Sequence, residues 1–416
     1  MLLLSACGSA DSSSSGGVPG IGAGSSGGSA QSGSGGTSHG AGSGNAPSDL
    51  AQGGHAASSA SGGSGAASSG ASGAAALAPV IWNSAKSAAV TDAQLTVEYG
   101  TWKLAHVEAC ANGSSVVVKD GAVLSQGIGY GMLLAAAMGD QALFDGLWTY
   151  HQQHLDKNGL MNWTTGKCDP PGNDVQNAAT DADLDTAMAL VQAAARWPNG
   201  GYLQQARTLT GKIVQFESDM CSGRRVLKSG DAFGGCNDAS DNRLNPSYFA
   251  PGYYKVFAHY FTDQAATWTA LADGSYQLYA LYQARMGGLV PDWSGPDGSD
   301  TYAGYSNEAC RTPFRVAVDY AWTGDTRAKT FLQNVSSWVD ANGGLPKAVL
   351  ALPNGEQDQN SAFVGAFALA GGYDQGKFDG YMSAWLGAKL DDAAYFQGTL
   401  RVLYLLVAAG KFSSTL

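Results

Sequence analysis

Beyond Asp92, hydrophobic positions recur every three to four residues over most of the chain. Leu203, Ala206, Leu209, Ile213 and Phe216 form one such stripe, and Phe396, Leu400, Leu403 and Val407 form another. This is the period of a helix that lays one face against a core, whereas the strict alternation of a half-buried strand is nowhere sustained. The pattern predicts helices over about 93–108, 128–154, 179–197, 202–218, 247–261, 264–285, 312–322, 325–341, 361–371, 376–388 and 392–409. Eleven segments, give or take two, make the class all-α. Asn-Gly pairs at 158–159, 342–343 and 354–355, with Gly/Pro clusters near 170 and over 288–299, supply the breaks. Trp148, Trp338 and Trp385 fall inside the stripes and read as core. No repeat of the 34- or 40-residue kind is present, which turns about a dozen helices toward a closed toroid of helical hairpins rather than a superhelical stack. Loops rich in Asp, Asn, Trp and Tyr would gather at one end of such a ring and build a cleft.

The stripes do not reach the N-terminus. Before Lys86 there is no Lys or Arg, the only acids are Asp11 and Asp49, and Gly, Ser and Ala dominate from Gly8 to about Ala76. Such a segment cannot bury enough apolar surface to offset its chain entropy, so residues 8–78 are expected to be a disordered tether. Residues 79–416 hold all ten Trp and every Tyr and Phe, and read as one domain. Residues 1–7 end in Leu4-Ser5-Ala6-Cys7, which resembles the lipobox at which bacterial lipoproteins are cleaved and lipidated. Only six residues precede Cys7 and none is basic, so a complete signal would need residues upstream of Met1. The expectation is an exported monomer, either held at the outer surface or periplasm by a lipid on Cys7 or secreted, since no apolar run is long enough to span a membrane.

The balance of 23 Lys+Arg against 34 Asp+Glu gives a net charge of −11, which argues against a nucleic-acid partner. Of the six cysteines, Cys221 and Cys236 bracket a polar, Gly-rich loop and are the first disulfide candidate, with Cys110 and Cys168 next and Cys310 left as a buried thiol. There is no Cys-x-x-Cys and the six His are scattered, so neither a zinc-type site nor any other metal or cofactor is expected.

The most informative segment is Ala179-Thr180-Asp181-Ala182-Asp183-Leu184-Asp185-Thr186, which runs into the apolar stretch Ala187–Ala193 and Trp197. Thr180 or Asp181 can cap a helix there, and Asp183 would sit in its first turn, where the dipole favours negative charge. Capping accounts for one or two acids. Three at alternating positions repel one another and point to chemistry. The segment resembles the signature of glycoside hydrolase family 8, Ala-[Ser/Thr]-Asp-[Ala/Gly]-Asp followed by an alanine-rich helix, departing from it at Thr186. Four further blocks resemble that family in order: Ser125-Gln126-Gly127-Ile128-Gly129-Tyr130-Gly131-Met132, Asn245-Pro246-Ser247-Tyr248-Phe249-Ala250-Pro251, Glu308-Ala309-Cys310-Arg311-Thr312-Pro313-Phe314-Arg315 and Asn360-Ser361-Ala362-Phe363-Val364-Gly365. The resemblance covers about 80–410. It implies an (α/α)6 barrel and hydrolysis of β-1,4-linked polysaccharides, cellulose or another β-glucan first, with xylan and chitosan as alternatives. It also implies inversion, which needs one carboxyl group to protonate the leaving oxygen and another to activate water on the opposite face.

Two departures bear on that chemistry. The family's general acid is a Glu at the position held here by Gln126, whose amide has no acidic proton to deliver. An engineered substrate trap, a naturally impaired relative and an enzyme using another acid all fit the change, and a non-catalytic glycan-binding protein is the competing function. The resemblance offers Glu308 as the base, where many members carry Asp, or another acid in the loops, as different branches of the family would allow; an ion pair to Arg311 or Arg315 is the alternative role for Glu308. It assigns Asp181 to holding the sugar at the cleavage point and Asp183 to orienting that surround. Pyranose faces pack on aromatic rings, so Tyr130, Trp163, Tyr248, Trp293 and Tyr395, beside the matched blocks, are the candidate platforms, with Arg311 a further substrate contact.

Overall fold

The computed structural model describes residues 86–169, 176–238, 241–298, 304–353 and 359–414. The signal-like residues 1–7, the tether 8–78 and the Asn354-Gly355 break lie outside them. The described chain runs α1 (Asp92–His106), β1 (Val107–Ala109), β2 (Ser115–Lys119), β3 (Ala122–Leu124), α2 (Ser125–Met138), α3 (Gln141–Gln153), β4 (Thr164–Gly166), α4 (Thr180–Arg196), α5 (Tyr202–Phe216), β5 (Ser218–Cys221), β6 (Arg224–Leu227), α6 (Pro251–Tyr260), α7 (Ala265–Arg285), α8 (Thr312–Thr323), α9 (Thr326–Ala341), α10 (Ser361–Leu369), α11 (Gln375–Gly387) and α12 (Tyr395–Ala408). Odd- and even-numbered helices alternate between two rings. The even ones are inner: α2 packs on α4 and α12, α6 on α8, α8 on α10, and α10 on α12. Every residue of α10, and every residue of α4 from Thr180 to Ala193, is buried. An outer helix such as α5 buries a single stripe of Tyr202, Ala206, Leu209, Thr210 and Ile213. This is the (α/α)6 barrel.

Packing rather than capping holds most of the inner ring. Thr91, Asp140, Asp325 and Asp374 cap the outer helices α1, α3, α9 and α11 and Asn360 caps the inner α10, whereas the inner α2, α4, α6, α8 and α12, like the outer α5 and α7, have no side-chain cap bond. A missing cap costs about 1 kcal/mol. Full burial of one large apolar side chain returns about 1.5–3 kcal/mol, and each of the five uncapped inner helices buries several, so its N-terminal turn is released for other work.

Two expectations need correcting. The stretch read as one helix over 128–154 is the hairpin α2–α3. Gly139 (φ 80°) ends α2 in the left-handed conformation, and the Asp140 carboxylate accepts from Leu143 N at 3.2 Å to start α3. The second correction is six short strands in a chain read as all-helical, forming a four-stranded sheet ordered β1-β2-β3-β4 and the hairpin β5–β6. Both two-residue hairpin turns, Asp120-Gly121 and Ser222-Gly223, have positive φ at both residues, the geometry that matches the twist of tight hairpins. The strands are too short for period-2 alternation to stand out. Cys110 and Cys168 are disulfide-bonded beside this sheet, and Cys221 of β5 is bonded to Cys236 in the loop after β6; Cys310 is buried and belongs to neither bridge. Trp385 is fully buried, while Trp148 and Trp338 are partly buried against the core.

Candidate active site

The N-termini of α2, α4, α6, α8 and α12 converge at one end of the barrel, and four of the five matched blocks lie at them; the fifth opens α10, which Asn360 caps. Gln126 is the second residue of α2, Asp181 the second of α4, and Tyr395 the first of α12, while Arg311 precedes α8 and Asn245-Pro246-Ser247-Tyr248 leads into α6. A helix N-terminus carries about half a positive charge, so this end favours carboxylates and developing negative charge. Glycines let the elements close in. A Cβ on Gly129 would stand 2.9 Å from the Ala182 carbonyl oxygen of α4, and one on Gly127 would stand 3.0 Å from the Tyr395 hydroxyl. β3 runs directly into α2, and Ser125 N donates to the Trp163 carbonyl at 3.0 Å, which sets the direction in which Gln126 enters the site.

Arg311 is the hub. Its Nη1 donates to Asp181 Oδ2 at 2.8 Å, its Nη2 pairs with Glu308 Oε2, and its guanidinium lies 5.2 Å from the centre of the Tyr248 ring. Asn245 Nδ2 donates to the same Glu308 oxygen at 2.7 Å. Gln126 Nε2 donates to Asp181 Oδ2 at 3.1 Å, and Gln126 Oε1 accepts from the Tyr395 hydroxyl at 3.4 Å. Gln126, Asp181, Glu308 and Arg311 are all buried in the free protein. Burial pushes the Glu308 carboxyl above its usual range, Arg311 and Asn245 pull it back, and the Asp181 charge pushes it up again. The net effect is upward, which makes this carboxylate a better proton acceptor than an exposed Glu.

The structure thus brings Gln126, Asp181, Glu308, Arg311, Tyr248 and Tyr395 together. Trp163 and Trp293 are half-buried in neighbouring loops, the latter 4.9 Å below the Arg243 guanidinium. Two expected site residues stand off the hub. Tyr130, one turn further along α2, is 1% exposed and buried behind it, within reach of the charges of Arg311, Arg315, Asp185 and Asp181. Asp183 points away from the hub: it accepts from Met161 N at 3.3 Å and lies 4.0 Å from His151 Nε2. Burial, then the charges of Asp156, Asp231 and Asp181, push its carboxyl far up. Of the two arginines considered for Glu308, Arg311 makes the ion pair. Arg315 instead grips Asp185 with both terminal nitrogens, across the barrel from α8 to α4. Sequence reading left Asn245 out of the site, although the Asn-Pro start of its block marks the turn that its side chain caps through Ser247 N. The Asp185–Arg315 pair carried no local signal. Among the described residues, one group of donor side chains is tight enough for an ion, Asp219, Cys221 and Cys236, and its two sulfurs are already joined.

The sequence matches the family model for glycosyl hydrolases family 8 over residues 72–410. It is 35% identical over 347 residues to Endoglucanase A of Acetivibrio thermocellus, covering 78% of this chain and 70% of that one. It is 28% identical over 364 residues to the Beta-glucanase of Niallia circulans, covering 77% and 85%. The fold superposes on the apo structure of a Beta-1,3-1,4-glucanase from Paenibacillus sp. X4 with a TM-score of 0.66, covering 79% of this chain and 95% of that one at 24% identity. An inner ring whose helix N-termini present the signature acids, together with a family match that runs almost the whole length of the barrel, makes this chain a member of glycosyl hydrolases family 8.

Proposed function

We propose that this protein is an inverting endo-glycosidase acting on internal β-1,4 bonds of a β-glucan, slowed by Gln126 at the proton donor's place. The observation that carries the reading is the arrangement around Arg311, which ties Asp181 and Glu308 to one guanidinium with Gln126 hydrogen-bonded to Asp181. In this reading Glu308 takes a proton from the attacking water. Its Oε2 is committed to Arg311 and Asn245, so the carboxylate is held in one orientation while its upward-shifted basicity favours the transfer. Asp181 meets the sugar at the cleavage point, and Tyr248 and Tyr395 line the floor. Gln126 can donate a hydrogen bond to the glycosidic oxygen but has no proton to give up, so the leaving sugar departs as a poor, unprotonated alkoxide. Endoglucanases and a beta-glucanase among the relatives support the substrate class.

A second reading, a glycan-binding protein without turnover, is motivated by the same Gln126. Reducing-sugar release from carboxymethylcellulose, lichenan, xylan and chitosan, run beside a binding assay, separates the two. Slow release of products with the inverted α-configuration supports the hydrolase; tight binding with no release even after Gln126→Glu supports the binder. We further propose export to an oxidising compartment with a lipid on Cys7. The lipobox-like Leu4-Ser5-Ala6-Cys7 and the two disulfides support it, and mass analysis of the protein from its native host tests it.

A further inference from the structure

Glu308 reaches the site from a loop rather than a helix, in the segment 304–308 that precedes the short 3-10 turn Ala309–Arg311. A base on a loop is useful only if the loop is held. The holding group is Asp292, distant in sequence and 4% exposed. Its Oδ1 accepts from Ser306 N at 2.9 Å and from Ala309 N at 2.7 Å, its Oδ2 accepts from the Ser306 hydroxyl, and its own N donates to the Gly304 carbonyl at 2.9 Å. Four bonds therefore bracket Glu308 on both sides along the chain. Two residues on, Ser294 exchanges both backbone bonds with Leu244, at 2.8 and 3.0 Å, and so places Asn245, the residue that donates to Glu308 Oε2. Tyr282 in α7 bonds the Ser294 hydroxyl and anchors the far end. One short strap, residues 292–294, thus fixes both the loop that carries Glu308 and the amide that orients its carboxylate.

We propose that Asp292 is a positioning residue for the catalytic base, acting through the 304–309 loop and paired with the Ser294–Leu244 bridge. It touches no substrate. Its cost-effectiveness as a clamp follows from charge: a buried carboxylate accepting three bonds from one loop makes stronger contacts than a neutral acceptor would, and a displacement of about 1 Å at a catalytic group can cost about 10²-fold in rate. The inference rests on the reading of Glu308 as base, and its test separates the two.

Asp292→Asn keeps the side-chain volume but turns one acceptor into an amide that faces the Ser306 hydroxyl. The first measurement needs no turnover. The chain has five glutamates, so 13C-labelling of Glu side-chain carboxyls gives few resonances, and Glu308→Gln identifies the one that matters. Arg311 and Asn245 hold the Glu308 titration midpoint down, while the Asp292 charge holds it up. If Asp292 positions Glu308, the substitution loosens the contacts to Arg311 and Asn245 and the midpoint rises. If Asp292 acts only through space, losing its charge lowers the midpoint, and the proposal is overturned; an unchanged midpoint overturns it as well. Ser306→Ala removes a single donor and is the gentler variant should Asp292→Asn fail to fold, with a smaller rise expected. The second measurement, in the Gln126→Glu background on lichenan, is expected to show kcat lowered at least tenfold with KM within about twofold. A raised midpoint with unchanged kcat would leave the clamp standing and remove Glu308 from the role of base.

Discussion

Restoring a carboxyl at position 126 is the most direct perturbation of this site. Gln126→Glu preserves volume and places the new group 3.1 Å from Asp181 Oδ2, where the amide nitrogen now sits. Two like charges at that distance would repel by about 5 kcal/mol at an effective dielectric of about 20, the value suited to protein sites. Arg311 offsets part of this through its 2.8 Å contact with the same oxygen, but that guanidinium already serves Glu308 as well. Three carboxyl groups would then share one cation in a buried site. The lowest-energy arrangement keeps a proton on one of them, and the introduced group, which lacks its own cation, is the one that holds it. Its pKa is therefore raised by the mechanism that makes acids out of paired carboxyls, and it stays protonated at a pH where an exposed Glu would not. General acid catalysis is worth about 10²–10⁴, so kcat on β-glucan should rise at least about 10²-fold, or about 2.7 kcal/mol of barrier. The assay is reducing-sugar release from lichenan and carboxymethylcellulose. β-Cellobiosyl fluoride, whose leaving group needs no proton, serves as control and should gain far less. The reasoning is refuted if the unmodified chain already turns over at ordinary enzyme rates and Gln126→Glu leaves both substrates unchanged.

Four further outcomes follow from the same geometry. In the Gln126→Glu background, Glu308→Gln should remove at least about 10²-fold in kcat, and the restored rate should survive if some other group activates water. Asp181→Asn in that background should also lower kcat, and it removes the neighbour that raises the introduced carboxyl, so the alkaline limb of the pH–rate profile should move down. Replacing Cys110 and Cys168 by Ser opens a bridge across a 58-residue separation, worth about 4 kcal/mol in the chain-entropy model against about 3 kcal/mol for the 15-residue Cys221–Cys236 bridge. Calorimetry should therefore show the larger fall in Tm for the first pair. Behind the signature helix, burial pushes Asp156 up to about 6 and pushes Asp183 and Glu217 well above the carboxylate range. These groups keep protons in the folded state that the unfolded chain releases near pH 4, so their contribution is complete below that pH and is lost as pH rises through 6 and beyond. Tm should thus fall from pH 5 to pH 8, and Glu217→Gln should flatten the slope; a Tm that rises over that range would contradict the assignment.

Local pattern determined a good deal of this protein. The spacing of apolar residues gave ten of the twelve helices among the described residues as single segments, because one buried face leaves a 3.6-residue imprint whatever it packs against. The cysteine spacing and the polar loop between Cys221 and Cys236 pointed to the correct pairs, and the blocks around Gln126, Asp181 and Glu308 identified the family. The break at Gly139-Asp140 and the Asp120-Gly121 turn were legible as capping and hairpin chemistry, but a strong apolar run on one side and very short strands on the other masked them. What the tertiary structure alone decided is which side chains meet. Asp181 and Asp183 are two residues apart near the start of one helix. Only Asp181 faces the hub, since successive helical positions lie about 100° apart and the placement of α2 and α8 decides which is met. Arg311 joins Asp181, and Arg315 joins Asp185, each across 130 residues and one helical turn from the other. That register belongs to the closed ring, which sets α4 and α8 facing one another across the barrel. A one-dimensional pattern records which face is buried but not what lies opposite it, so the pairing of acids with arginines, the burial of Tyr130 and the clamp on Glu308 exist only once the barrel has closed.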